Sequence, residues 1–426
     1  KAFTIGAVIP MTTKDGKPDA RGQYRSKAMV LAIDEINKNA GVDNKGFRLR
    51  ICNTKSQWVD STSQAHKLAA YLADEEGVQA ILTGGSSDTM KIKTVTGPRN
   101  VLVMSVSATS IALTGLNDNG LVWRVAPSDR LQGLVLYDVI EMSMEDNNAP
   151  EDYRLAALVI DDPYGSSLAK VMSEQYAPSG PGSGDEPVPE LKVYTLLADG
   201  SNLQYELKRA DDYKPDALVI IAPAKVSADI VNNLKNYSNL GASKLFFSES
   251  SHNADFLSGI EDMSLLKEAR GTLPGSPFGP AFDTFIGRYQ SKFQADPSQQ
   301  SFTAQSYDAT YCLALAHAWA SRKGGPSKID GIAISEGLQR LSDQKATVHT
   351  LEPTQFSGMV SKLQGGKSIN IEGASGKLDF DNATGEAPSA VEVWKVTGGQ
   401  FAPVRWVDVV PDGAGGRTFK DTWAKN

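Results

Sequence analysis

Two apolar runs close together in the chain, Ala80-Ile81-Leu82-Thr83 and Val101-Leu102-Val103-Met104-Ser105, each open into turns rich in small hydroxyl residues. A strand that is apolar at every position is buried on both faces, which is the habit of a parallel sheet. Parallel neighbours need a crossover, and residues 88–96 between the two runs read as its helix. In an open α/β sheet, ligands bind at the carboxyl ends of the strands. The turns there carry Ser86, Ser107 and Thr109. Hydroxyls and free backbone N–H groups in such turns suit a small anion such as a carboxylate.

The same alternation runs through most of the chain. Strands at 3–10 and 47–52 flank a helix at 22–39 whose Ala28, Leu31, Ala32 and Ile36 share one face. A helix at 61–74 precedes the two runs. A second series follows, with helices at 129–144, 166–176, 203–210 and 227–237 between strands at 155–160, 192–196, 217–222 and 244–247. Residues 178–187, rich in Pro, Gly and Ser, read as a surface loop. Helices at 282–293 and 303–322 come next. The character then changes to antiparallel strands at 376–380, 390–396 and 404–409. Such βαβ order implies parallel sheets with right-handed crossovers. The two series look like one unit used twice, and 426 residues are ample for two lobes.

A net charge of −7 argues against a nucleic-acid partner, which requires a basic face. No apolar run approaches the ~20 residues of a membrane span. The chain begins at Lys1, consistent with an export segment removed beforehand. Cys52 and Cys312 read as buried thiols, with a disulfide as the alternative. His66, His252, His317 and His349 lack metal-ligand spacing, and neither a phosphate loop nor a Gly-x-Ser-x-Gly elbow is present. Asp161-Asp162 reads as a turn rather than a catalytic dyad. No enzyme, metal or cofactor is expected.

Motifs in a shared order resemble one known family. They are Thr4-Ile5-Gly6-Ala7-Val8-Ile9-Pro10-Met11 with Gly22 and Ala32-Ile33-Asp34-Glu35-Ile36-Asn37, then Arg124-Val125-Ala126-Pro127-Ser128-Asp129 with Gln132. Asp161-Asp162-Pro163-Tyr164-Gly165 follows, then Phe285 with Arg288-Tyr289, Pro297, Tyr307-Asp308-Ala309 and Gly376-Lys377-Leu378-Asp379-Phe380-Asp381 with Gly385. Together they resemble a type I periplasmic binding protein of the branched-chain amino-acid (Leu/Ile/Val) group, the substrate-capturing subunit of an ABC importer. The resemblance implies two Rossmann-like lobes with parallel central sheets joined by three crossings and ligand held between them. One lobe is expected at 1–125 plus 275–355, the other at 126–274 plus 356–426.

It also implies a site. Carried over position by position, the grip on an α-carboxylate falls on Ser86, Ser107 and Thr109. The alternative is that Ser87 or Asp88 caps the helix and the other hydroxyls close turns. The acid for the ammonium group is Glu249, if the turn is shifted by one residue; strict alignment puts it on Ser250. Tyr164 would cover the ligand. Arg21 stands where an aromatic commonly faces the side-chain pocket, so a cleft-facing Arg21 implies a second anionic or polar group on the ligand. Trp58 is a further candidate wall. The expected partners are a small amino acid or organic acid and a membrane permease, with the protein monomeric, extracytoplasmic and possibly lipid-anchored. A ligand-sensing domain on the same lobes is the alternative function.

Overall fold

Burial along β1 (Phe3–Ile9), β3 (Ala80–Thr83) and β4 (Leu102–Ser105) alternates between two cores, and that alternation builds the first unit. The computed structural model describes residues 2–55, 64–176, 189–275, 278–411 and 417–424. Trp58 and the loop at 178–187 lie outside the described residues. Two compact units result, residues 1–128 with 275–389 and residues 129–274 with 390–426. The chain therefore passes from one unit to the other three times.

In unit 1, β1 is followed by α1 (Ala20–Lys38), β2 (Phe47–Asn53), α2 (Ala65–Asp74), β3, α3 (Ser86–Thr96), β4 and β5 (Val122–Arg124). The five strands lie in the order β2-β1-β3-β4-β5, all parallel. Ile5, Ala7, Ile9, Leu82 and Met104 face one core, while Val8, Ile81 and Val103 face the other. The period of two in a pleated strand sorts them this way.

Unit 2 begins with α4 (Asp129–Glu145), β6 (Arg154–Ile160), α5 (Pro163–Gln175), β7 (Glu190–Leu196) and α6 (Leu203–Tyr213). It continues through β8 (Ala217–Ile221), α7 (Ala224–Asn233), β9 (Lys244–Phe247), the short α8 (Ala254–Ser258) and β10 (Arg270–Pro274). Its parallel strands run β7-β6-β8-β9-β10, which repeats the order of unit 1.

The chain then returns to unit 1 with α9 (Pro280–Phe293), α10 (Thr303–Ala320), α11 (Gly331–Leu338), β11 (Val348–Thr350), α12 (Pro353–Gln364), β12 (Asn370–Gly373) and β13 (Gly376–Lys377). Helix α10 is buried along almost its whole circumference, as expected of a helix apolar on every side. It joins α1, α11 and α12 over the first core. The last segment, β14 (Val391–Thr397), β15 (Gln400–Pro411) and β16 (Arg417–Ala424), adds three antiparallel strands to the sheet of unit 2. Strand β14 docks on β10 with the Trp394 indole lying over Gly271, where a Cβ would come within 2.0 Å of the ring.

The boundary expected at residue 355 is corrected. Residues 356–389 belong to unit 1 because buried contacts fasten them there. Phe356 packs on Tyr311 and Phe380 on Trp123. The Asp308 carboxylate of α10 accepts from the Ala374 N–H at 2.9 Å and from the Ser375 N–H at 2.7 Å. Removing an acceptor strands buried donors, at about 1–3 kcal/mol each. Asp308→Ala is thus expected to cost about 3 kcal/mol of unit 1 stability in chemical denaturation. An unchanged midpoint would remove this fastening. Cys312 is a buried free thiol and Cys52 a half-buried one. His317 packs between Phe3 and Phe47.

Candidate functional site

The hydroxyls at the ends of β3 and β4 divide into two groups. One group closes turns. Ser105 donates to the Gly84 carbonyl at 2.7 Å and accepts from the Ala108 N–H at 3.0 Å. Thr89 donates to the Gly85 carbonyl at 2.9 Å, and Ser110 accepts from the Ala112 N–H at 3.3 Å. These positions have the local role that Ser and Thr commonly play in turns.

Ser86, Ser107 and Thr109 form the other group. Ser86 is the first residue of α3, after Gly85, and no side chain caps that helix end. Its Oγ accepts from the Ser110 N–H at 3.2 Å. Ser107 Oγ accepts from Arg25 at 2.9 Å. Thr109 is 1% exposed, and its Oγ1 has no hydrogen-bond partner among the described residues. Buried hydroxyls are normally paired, so Thr109 differs from the turn-closing hydroxyls around it.

The loop that carries Thr109 is held from behind. Buried Arg124 donates through one guanidinium nitrogen to the Ala108 carbonyl at 3.2 Å and the Ser110 carbonyl at 2.9 Å. Its other terminal nitrogen pairs with Glu386 at 2.5 Å. The carbonyls on either side of Thr109 are therefore fixed by one rigid fork. Arg21 has an acidic partner. Its guanidinium pairs with Asp19 at 3.0 Å, the residue that also caps α1.

In unit 2 the candidates meet. Tyr164, in the first turn of α5, donates to Glu249 Oε2 at 2.7 Å. Gln132, on α4, donates to the same oxygen at 2.7 Å and to Thr272 Oγ1 at 3.1 Å. Asp162 caps α5 by accepting from the Gly165 N–H at 2.6 Å, so it serves the turn. The two neighbouring positions expected for the acid are held differently. Ser250 donates to the Ala222 carbonyl at 2.8 Å and is tied to the strand end, whereas Glu249 reaches the Tyr164 and Gln132 side chains.

Glu249 is 5% exposed. Burial, with the Asp129 carboxylate adding like-charge repulsion, pushes its acid up to about 8. Burial likewise raises Asp162 to about 6. Unit 2 thus holds two acids, Glu249 and Asp129, in a setting that favours an added positive charge. After β8, Pro223 precedes α7.

Sequence reasoning missed three residues. Asp129 and Gln132 stand three apart in the first turn of α4, a spacing that puts them on one helix face and was readable. Arg25 carried no such signal, because a charged residue on an amphipathic helix normally reads as solvated.

Several solved structures share this fold. The leucine-binding protein LivK of Thermotoga maritima is 18% identical, with 95% of this chain and 98% of that one covered at a TM-score of 0.72. LivJ of Streptococcus pneumoniae, solved in complex with isoleucine, is 18% identical over 95% of this chain and 100% of that one, with a TM-score of 0.70. An ABC transporter substrate-binding protein of Desulfitobacterium hafniense, in complex with Leu, is 19% identical over 95% and 100%, with a TM-score of 0.61. No curated protein matches the chain. The family model described as periplasmic binding protein matches residues 2–400, and the chain belongs to that family.

Proposed function

We propose that this protein is the extracytoplasmic solute-binding subunit of an ABC importer. It captures a small α-amino acid, branched-chain or related, and delivers it to a membrane permease. The observation that carries this reading is Glu249. It is a buried acid whose side-chain partners Tyr164 and Gln132 are neutral and whose neighbour Asp129 is acidic, and an ammonium group beside it favours its ionised form. Ser86, Ser107 and Thr109 offer hydroxyls to the carboxylate of the same kind of ligand. An α-amino acid carries both groups. Tyr164 holds Glu249 in place, and Arg21 pairs with Asp19. Two structural relatives contain isoleucine and leucine, which makes branched side chains the first to test. Among the described residues no helix is long and apolar enough to cross a membrane.

The test is isothermal calorimetry against the twenty L-amino acids, with the amide and the deaminated acid of the best binder as controls. Micromolar affinity, about −8 kcal/mol, is expected for one or a few of them. Both controls should bind at least about tenfold more weakly, since each removes one charged group. A folded protein that binds none of the twenty would end this reading.

A further inference from the structure

Arg25 lies on α1 and is 7% exposed. One guanidinium nitrogen donates to Ser107 Oγ at 2.9 Å, and Nε donates to the Ser301 carbonyl at 3.2 Å. The guanidinium carbon stands 5.4 Å from the centroid of the Phe302 ring. Phe302 has a φ of +63°, a left-handed conformation that a bulky side chain adopts only when its surroundings impose it. The cation is therefore held by α1, by the loop before α10 and by the turn after β4.

Hydrogen-bond polarity gives this placement a consequence. Arginine can only donate, whereas a serine hydroxyl has one proton to give and lone pairs to receive. Because Arg25 occupies an acceptor position on Ser107, the serine's own proton is directed to another acceptor. Ser86 is in the same state, since its oxygen accepts from the Ser110 N–H. The Thr109 hydroxyl has no partner among the described residues and completes the set. Such a group of hydroxyls favours an acceptor-only ligand group, which an ionised carboxylate is and an amide is not.

We propose that Arg25 is the positioning residue of the carboxylate subsite. Through Ser107 it orients and polarises a donated proton, and it makes the subsite selective for an anion over its neutral amide. This rests on the functional reading above and deepens it, naming the residue that sets the charge preference.

The experiment is calorimetry with L-leucine and L-leucinamide on the native protein, Arg25→Met, Arg25→Lys, Ser107→Ala and the Arg25→Met/Ser107→Ala double variant. If another amino acid binds best, that acid and its amide take their place. Arg25→Met is expected to weaken leucine about tenfold or more and leucinamide less than about twofold, collapsing the ratio between them. Arg25→Lys should restore part of the ratio. The double variant should bind leucine no more weakly than the worse single variant, because both act through one hydroxyl. Equal losses for both ligands, or additive losses in the double variant, would overturn the proposal and leave Arg25 a structural residue. If Arg25→Met does not fold, Arg25→Lys and Ser107→Ala provide the same ratios. A native protein that binds no amino acid removes the functional reading and this inference with it. Native binding with an unaltered ratio in the variants removes this inference alone.

Discussion

Thr109→Val is expected to weaken amino-acid binding by about ten- to a hundredfold while leaving the empty protein at least as stable as the native one. A hydrogen bond to a charged group contributes about 1.5–3 kcal/mol, which sets the binding loss. The stability effect has the opposite sign because the Thr109 hydroxyl is buried and unpartnered among the described residues. An unpaired buried hydroxyl costs free energy that a methyl group of the same shape does not. Valine also keeps the β-branched shape of threonine, so the Arg124-held loop is undisturbed. Calorimetry and a thermal melt of the empty protein measure both effects. Binding that survives with native affinity would remove Thr109 from the site. A large fall in melting temperature would show that its hydroxyl is structural.

Glu249→Gln should give the larger effect, and its dependence on pH is specific. The folded protein raises this acid from 4.5 to about 8 through burial first and the Asp129 carboxylate second. A folded state that holds a proton more tightly than the unfolded chain gains stability below the unfolded value. It loses that stability as pH rises through the folded value. The empty native protein should therefore lose stability between about pH 4.5 and 8 from this group. The glutamine variant, which resembles the protonated form, should not, and it should melt higher than the native protein above pH 8. The groups facing Glu249 are Asp129 and Gln132 of α4 and Tyr164 of α5. An ammonium group favours the ionised acid, so native affinity should rise between pH 6 and 8. The variant should lose about a hundredfold in affinity and show no such rise. Unchanged affinity would exclude Glu249 as the ammonium partner. Parallel melting curves across this range would show that the acid is not held protonated.

The sheets were legible in the sequence because their strands are apolar at nearly every position, as in the fully buried run Ala217–Ile221 of β8. Short elements were not. Three-residue β5 has no period to detect and its place comes from pairing with β4, and of the strand expected at 376–380 only Gly376–Lys377 forms, as β13 on β12. Helix α12 was assigned to the wrong unit because its face of Phe356, Met359 and Leu363 fits any core equally well. Only the contact with Tyr311 and the hold of Asp308 on Ala374 and Ser375 decide the matter. At the site, residue types were readable and partnerships were not. Thr109 and Arg21 were both named from the sequence, yet one is left open and the other is paired with Asp19. Nor does the sequence show that Ser250 donates to the Ala222 carbonyl while Glu249 meets Tyr164 and Gln132.

The order in which the two units are completed has a bearing on how such a chain is made. Unit 1 starts at the N-terminus, but α10, which covers its first core, is synthesised only after all of β6 to β10. A nascent chain ending at residue 274 would carry five parallel strands of unit 1 with one apolar face lacking α10. It would also carry the parallel half of unit 2 without β14, the strand that pairs with β10. Neither unit closes until the final fifth or so of the polypeptide emerges, and contacts of such long sequence separation form slowly. A polypeptide built in this order keeps apolar sheet faces uncovered through most of its synthesis.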